Sequence, residues 1–405
     1  MSKVVRIIGR MCGSGPPRQV AFLHRRLRES LGTVLIAGSI EDGEQDMRYL
    51  LEDSKAVYEV ESMSRSIKAW SDLISLVRII RILLHEKPDI VHTHTAKAGA
   101  LGRVAALLAG VPIRVHTYHG HIFQGYFGAT ATRLIIATER MLNRFTTQVI
   151  AISPSQVEDL ASRFRVARRE QIAMVRTGFD LASLASLEKD RRQARETLGL
   201  SENDRLVVWA GRLVPIKDIP LLLEVIRSAQ RLPRLKFLVI GEGQLWPVVE
   251  QASKTCDNLS VLRWQKDMKP FLAAADMVLL TSRNEGTPAL LIEAMAAGKP
   301  FVSTAVGGVV DLAVPPLREL PNGCRRAQNG FLTSSDAEGI VACLEALASS
   351  PELAAQMGAA GRSFALAHHD QERLADEVTD LYRTLLARKG LREQAAALAT
   401  TPEQT

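Results

Sequence analysis

Residues 276–304 read DMVLLTSRNEGTPALLIEAMAAGKPFVST. Asp276–Leu280 reads as a short strand closed by the polar loop Thr281–Pro288. Pro288 has no N–H and sets the turn. Leu290–Ala297 then reads as a helix and Pro300–Thr304 as the next strand. A strand, a glycine-bearing loop, a helix and a second strand in so short a span make a βαβ unit, and such units build a parallel sheet. One residue breaks the pattern. Glu293 stands among Leu290, Leu291, Ile292, Ala294, Met295 and Ala296, and a carboxylate in so apolar a helix must find a partner or face a cavity.

The same alternation extends in both directions. Upstream, Leu206–Ala210 is a buried strand followed by a glycine loop and a helix over Ile219–Arg231; Lys236–Ile240 is the next strand. A separate run begins near the amino terminus with strand Val4–Ile8, a Gly/Pro loop, a helix over Arg18–Leu31 and strand Val34–Ala37. Ser66–His85 is an amphipathic helix. It is followed by strand Ile90–His92, helix Ala98–Ala109, and strands Arg114–Tyr118 and Val149–Ile152. The expected fold class is α/β with two Rossmann-like halves. Their junction falls near Thr177-Gly178, giving domains over 1–178 and 179–372. A helix over Arg373–Lys389 comes last, and a polar tail covers 391–405.

Size and composition agree with this. The chain has 405 residues, and a single core stops growing beyond roughly 250–300. An apolar share of 46% fills two cores without staples. Cys12, Cys256, Cys324 and Cys343 are far apart and form no CxxC, so they read as free thiols in a reducing compartment. No basic-then-apolar leader opens the sequence, and no run of about 18 apolar residues exists. A cytoplasmic location is therefore expected. The net charge of +7 permits nucleic acid, an anionic membrane face or phosphate-bearing small molecules as partners. Arg25, Arg26 and Arg28 form one cluster; Arg163, Arg165, Arg168 and Arg169 form another. Each alone reads as a solvated face. With aromatics at only 5%, nucleic acid is not the partner expected.

Several loops suit an anion. Gly13-Ser14-Gly15-Pro16-Pro17 lets backbone approach a ligand at a helix N-terminus. A glycine turn is common in any α/β protein, however, and the prolines exclude the dinucleotide GxGxxG. Gly211-Arg212-Leu213-Val214-Pro215-Ile216-Lys217 says more. Arg212 and Lys217 around one turn can neutralise a diphosphate, Arg212 through two parallel hydrogen bonds. The loop also leaves the carboxyl end of a strand, where open α/β sheets bind ligands. Gly241-Glu242-Gly243 is explained equally well as a tight turn. Glu285 and Glu293 are eight residues apart, with Gly286, Thr287 and Pro288 after the first. On spacing alone, a capping carboxylate and a salt-bridged core glutamate account for them. His92, His94, His116, His119 and His121 crowd two strand ends. Such histidines are often satisfied core residues. A metal site is the alternative, weakened because no Cys, Asp or Glu completes the set.

Taken together, several motifs resemble glycosyltransferase family 4, the retaining enzymes of the GT-B fold. They are SRNEGTPALLIEAMAAGKPFVSTAVGGVVDL (282–312), GRLVPIK (211–217), PDIVHTHTAKAGALGRVAALLAGVP (88–112), VHTYHGHIFQGYF (115–127), AISPS (151–155), NGFL (329–332) and GAAGR (358–362). The resemblance runs from about Val4 to about Lys389. It implies two facing Rossmann-like domains with parallel sheets. The carboxy-terminal domain would bind a nucleotide sugar and the amino-terminal one the acceptor, with a last helix over 373–390 crossing back. Residue by residue, Arg212 and Lys217, beside Gly211, would contact the donor diphosphate, with Gly286, Thr287 and Pro288 completing the site. Glu285 would hold the transferred sugar, Glu293 the ribose, and His119 would sit at the reacting centre. Gly15 would lie under the diphosphate. Ser14 departs from a usual glycine pair. Arg263, before Trp264, stands where glycine is common near the nucleobase.

The resemblance further implies transfer without a metal or other cofactor. No Asp-x-Asp is present, and Arg212 and Lys217 can supply the charge that a metal would. The expected acceptor is a lipid-linked saccharide or other glycan precursor of an envelope or exopolysaccharide. Arg25, Arg26 and Arg28 together with helix Ser66–His85 suggest a basic face resting on the inner leaflet of a membrane, against the plainer reading that the helix's apolar face is core. A GT-B-fold sugar-nucleotide epimerase and an inactive, transferase-like interaction protein are the rivals. The second is disfavoured by the presence of Arg212, Lys217, Glu285, Glu293 and His119.

Overall fold

Short apolar strands frame each half of the chain. The structure, a computed structural model, describes residues 2–13, 15–41, 44–51, 56–64, 66–120, 123, 128–391, 395 and 398. Ser14, His121, most of the 122–127 run and most of the tail 391–405 lie outside the described residues. The chain divides into two compact units, Met1–Gly178 with Gln371–Thr405, and Phe179–Asp370.

In the first unit the strands are β1 (Lys3–Ile8), β2 (Gly32–Gly38), β3 (Val57–Val60), β4 (Ile90–His94), β5 (Ile113–Tyr118), β6 (Gln148–Ala151) and β7 (Ile172–Met174). They form one parallel sheet in the order β3-β2-β1-β4-β5-β6-β7. Alternate side chains feed two cores. Val4, Ile90 and Val115 pack with Leu23 of helix Gly15–Arg26, with Leu27 just after it, and with Leu374, Val378 and Tyr382 of the closing helix Gln371–Arg388. Val5, Ile7 and Val91 pack with Ile79 and Leu83 of helix Ala69–Glu86 and with Ala98 and Ala105 of helix Ala96–Leu108. The first and second helices therefore cover opposite faces of the sheet. The arginine cluster at Arg25–Arg28 and the basic amphipathic helix, which the sequence links into one membrane-facing surface, do not share a face. Arg26 is moreover held by Glu372 at 2.7 Å.

The second unit contains β8 (Arg205–Ala210), β9 (Leu235–Ile240), β10 (Leu259–Leu262), β11 (Met277–Leu280), β12 (Phe301–Thr304), β13 (Arg318–Glu319), β14 (Arg325–Arg326) and β15 (Gly330–Thr333). Their order is β10-β9-β8-β11-β12-β15-β14-β13. The central strands are parallel; β13 and β14 add a short antiparallel edge. Val207, Trp209 and Leu279 face one core, and Val208, Val278 and Leu280 face the other, with Ile292 and Met295 of helix Ala289–Ala296.

Both sheets reverse direction of growth at one place, between β1 and β4 in the first unit and between β8 and β11 in the second. Loops leaving neighbouring strands diverge there and open a crevice at the carboxyl ends.

Candidate functional site

In the second unit the two loops at the reversal are 211–217, after β8, and 281–288, after β11. They are laced together. The Lys217 ammonium donates to Glu285 Oε1 at 2.5 Å, and Ser282 Oγ donates to the same oxygen at 2.6 Å. Thr281 Oγ1 donates to the Lys217 carbonyl at 2.9 Å, and the Arg283 N–H to the Ile216 carbonyl at 2.8 Å. Arg283 grips Asp218 through two bonds of 2.8 and 3.0 Å. Asp218 holds a left-handed φ of 48° that ends the short turn carrying Lys217 and starts helix Ile219–Ser228. So the structure joins Lys217 to Glu285, two residues that the sequence places far apart.

The other candidates surround this pair. Arg212 is exposed, and its guanidinium pairs with none of the described residues. Gly211 flanks Lys217: a Cβ there would lie 3.6 Å from the lysine Cε. Pro288 precedes helix Ala289–Ala296, whose interior buries Glu293. Thr287 Oγ1 is buried and has no hydrogen-bond partner among the described residues. A hydroxyl left this way in a close-packed interior is uncommon and marks a place where a ligand can complete the bonding. Gly286 lies under tight backbone packing. A Cβ at Gly308 would sit 1.8 Å from the Gly286 carbonyl, and one at Gly307, whose φ is +48°, 2.0 Å from that of Glu285. The Gly307-Gly308 turn thus buttresses the loop from behind. Arg263, at the end of β10, stacks over Trp246 at 4.1 Å and pairs with Glu242 at 3.2 Å.

Ser282, Asp218 and the Gly307-Gly308 pair were not singled out by the sequence. Only the doubled glycine carried a signal, since two adjacent glycines after a strand suggest close backbone approach.

In the first unit His119 follows β5, and its Nε2 lies 3.0 Å from His94 Nδ1. One of these nitrogens must carry the proton, so the two tautomers are coupled. Burial lowers the His119 pKa to about 4. His92, His94 and His116 are likewise driven well below the ordinary range, chiefly by burial, with charged Arg6 adding to the effect on His92 and His94. His92 bonds Tyr382 Oη at 2.6 Å and Thr117 at 2.7 Å, whereas His116 bonds Thr93 at 2.8 Å on the other face. Among the described residues no three His, Cys, Asp or Glu side chains converge to hold a metal ion. Gly15 opens the first helix, and a Cβ there would meet nothing within 4 Å, so packing alone does not require glycine.

These features define a doubly wound α/β protein with a polar, cation-bearing crevice at its strand ends. Comparison with known proteins sharpens that class. Residues 204–350 match the family model for glycosyl transferases group 1, and residues 14–183 that for glycosyltransferase family 4. The chain is 31% identical over 265 residues to the UDP-Gal:α-D-GlcNAc-diphosphoundecaprenol α-1,3-galactosyltransferase of Escherichia coli, covering 64% of this chain and 68% of that one. It is 26% identical over 378 residues to the capsular polysaccharide biosynthesis glycosyltransferase CapM of Staphylococcus aureus, covering 91% and 93%. Among solved structures, Anabaena HepE in complex with UDP-glucose matches at a TM-score of 0.76 and 18% identity over 94% of this chain and 99% of that one. WaaG, a glycosyltransferase involved in lipopolysaccharide biosynthesis, matches at 0.69 and 16% over 93% and 99%. At such identities these two show the fold alone, which is GT-B. The chain belongs to glycosyltransferase family 4 and is a glycosyltransferase.

Proposed function

We propose that this glycosyltransferase moves a sugar from a nucleotide-diphosphate donor to a hydroxyl acceptor with retention of configuration, using no metal or other cofactor. One observation carries the reading: the 2.5 Å bond between Lys217 and Glu285 at the strand-order reversal of the second unit. A cation suited to a diphosphate is coupled there to a carboxylate suited to sugar hydroxyls. Arg212 and Lys217 balance the charge that builds on the departing diphosphate. Gly211 lets the phosphates approach, and Gly286 and Thr287 offer N–H groups beyond them, on a turn set by Pro288. Glu285 holds the transferred sugar and Glu293 the ribose. In the first unit, Gly15 borders the diphosphate and His119 touches the reacting sugar or its acceptor. The bond from anomeric carbon to phosphate oxygen breaks, and the bond from acceptor oxygen forms on the same face. The acceptor's proton passes to the departing phosphate.

The acceptor is a lipid-linked saccharide or related glycan precursor, met at an anionic membrane surface. Similarity to enzymes named for a diphosphoundecaprenol-linked sugar and for capsular polysaccharide supports this. A thermal-shift panel of nucleotide sugars tests the donor, since a ligand of the folded state raises Tm. With the donor so found and a polyprenyl-diphosphate saccharide, the product should keep the donor's anomeric configuration and turnover should survive EDTA. An inverted product or loss on chelation would overturn the mechanism. Sugar interconversion without acceptor would make the protein an epimerase.

A further inference from the structure

Three helices, Ala69–Glu86, Ala96–Leu108 and Ala129–Arg144, lie over one face of the first sheet. Between them they carry three acids, Asp72, Glu86 and Glu139. Each is drawn inward. Asp72 pairs with Lys97 and ties the first helix to the second. Glu139 takes Arg103 at 2.7 Å, and Arg103 also bonds Asn143 at 2.8 Å, tying the second helix to the third. Glu86 accepts from Lys3 at 3.0 Å and Tyr58 at 2.6 Å.

What remains outward is apolar or cationic apart from His85, Thr130 and Thr138. Helix Ala69–Glu86 buries Ile79 and Leu83 on its inner side, yet its outer side is apolar too. Trp70 is 75% exposed there, with Leu73, Ile74 and Val77 beside it and Arg78 and Arg81 along the same side. Helix Ala129–Arg144 repeats the pattern. Leu134 is 70% exposed, with Met141 and Phe145 following at helical spacing and Arg133, Arg140 and Arg144 interspersed. Leu107 and Leu108 end the middle helix, also exposed. The outer side of a surface helix is ordinarily polar, and exposed apolar stretches of this extent mark a binding face.

We infer that the outer face of this three-helix layer docks onto an anionic lipid bilayer. The charge selects the occupant. Two copies of the face would set arginine against arginine, whereas anionic headgroups neutralise Arg78, Arg81, Arg133 and Arg144; Arg140 instead donates to the Phe164 and Arg165 carbonyls. Arginine stems lie along apolar surface while their heads stay in the headgroup layer, and tryptophan favours that boundary. The surface lies opposite the Arg25–Arg28 cluster, which takes no part. The inference rests on the lipid-linked reading of the acceptor. Its test reads binding with neither donor nor acceptor present, so the two readings fail separately.

The experiment is flotation of the full chain with vesicles of phosphatidylcholine alone and of phosphatidylcholine mixed with phosphatidylglycerol. Binding is expected only to the mixed vesicles and should fall with salt. Arg78→Ala with Arg81→Ala should weaken it roughly tenfold or more, as should Trp70→Ser with Met141→Ser. Arg25→Ala with Arg28→Ala should leave it unchanged. All these side chains are exposed, so the melting temperature should hold. Equal binding to both vesicles, or sensitivity to the Arg25/Arg28 variant alone, would overturn the proposal. So would a wild-type dimer in gel filtration that Trp70→Ser dissociates, since the face would then belong to a second copy.

Discussion

Glu285 and Lys217 show what residue types alone reveal. Each is readable as a candidate, the lysine from a cationic turn after a strand and the glutamate from a polar loop. Their bond spans 68 residues of sequence, and no local pattern announces it. Lys217→Ala should lower turnover roughly a hundredfold, because a preorganised charge at a leaving group is worth about that much. Steady-state kinetics would show it. An unchanged kcat would take Lys217 away from the diphosphate. His119→Ala should also lower turnover about a hundredfold or more, while the donor-induced rise in Tm persists. His94→Ala acts through His119. It opens the buried side of the ring, so the His119 pKa should climb from about 4 toward its ordinary 6.5. The acid limb of the pH–rate profile should then move to higher pH, with a smaller loss of turnover than His119→Ala gives. A limb that stays in place would leave His94 a packing residue.

At the scale of elements, the long apolar strands and the amphipathic helices are legible because burial imposes a period on them. The elements that escape are those that burial does not pattern. Strand β3 exposes Val57 and Glu59 at an edge, and β13 and β14 are two residues each with no buried side chain. Helix Ala129–Arg144 fully buries only Glu139, Leu142 and Asn143, with Ile135 and Ile136 half-buried against the core, so two of its three buried positions are polar and its apolar stripe is short. The start of the second helix shifts from Ser66 to Ala69, with the Lys68 N–H donating to the Asp72 carboxylate at 3.2 Å just before it. The site loop is also an element-scale construction, since it rests on Gly307-Gly308. Gly308→Ala would press a methyl into the Gly286 carbonyl. The loop must yield, and the donor-induced rise in Tm should shrink sharply while circular dichroism stays native. A full shift in the variant would show that the loop's position does not govern donor binding.

For the whole molecule, the two-unit organisation follows from length and from a strand pattern that restarts, but the charge buried inside the first unit does not. Arg6 is fully buried on β1, and among the described residues none of its guanidinium nitrogens has a hydrogen-bond partner; its guanidinium carbon lies 6.0 Å from the Tyr382 ring centroid. Around it, burial lowers the His24 pKa to about 4, with Arg6 and Arg28 adding to the effect, and His92 and His94 move the same way. The sign of the linkage is definite. An unfolded chain takes up protons on these histidines below their ordinary pKa of 6.5, while the folded unit resists taking them up, His24 until about pH 4 and His92 and His94 well below the ordinary range. Stability is therefore complete above pH 6.5 and drains away as pH falls through that window, by roughly 3 kcal/mol from His24 alone. Melting curves from pH 7 to pH 4 should show the fall, and hydrogen-exchange protection factors should place it in β1, β4 and β5. Arg6→Met removes an unpaired buried charge at similar volume, a change that is often stabilising by about 1–4 kcal/mol. It also relieves the histidines, so Tm should rise more at pH 5 than at pH 7. A lower Tm at both, with an unchanged acid slope, would mean that the guanidinium stabilises the fold and is not what holds the histidines neutral.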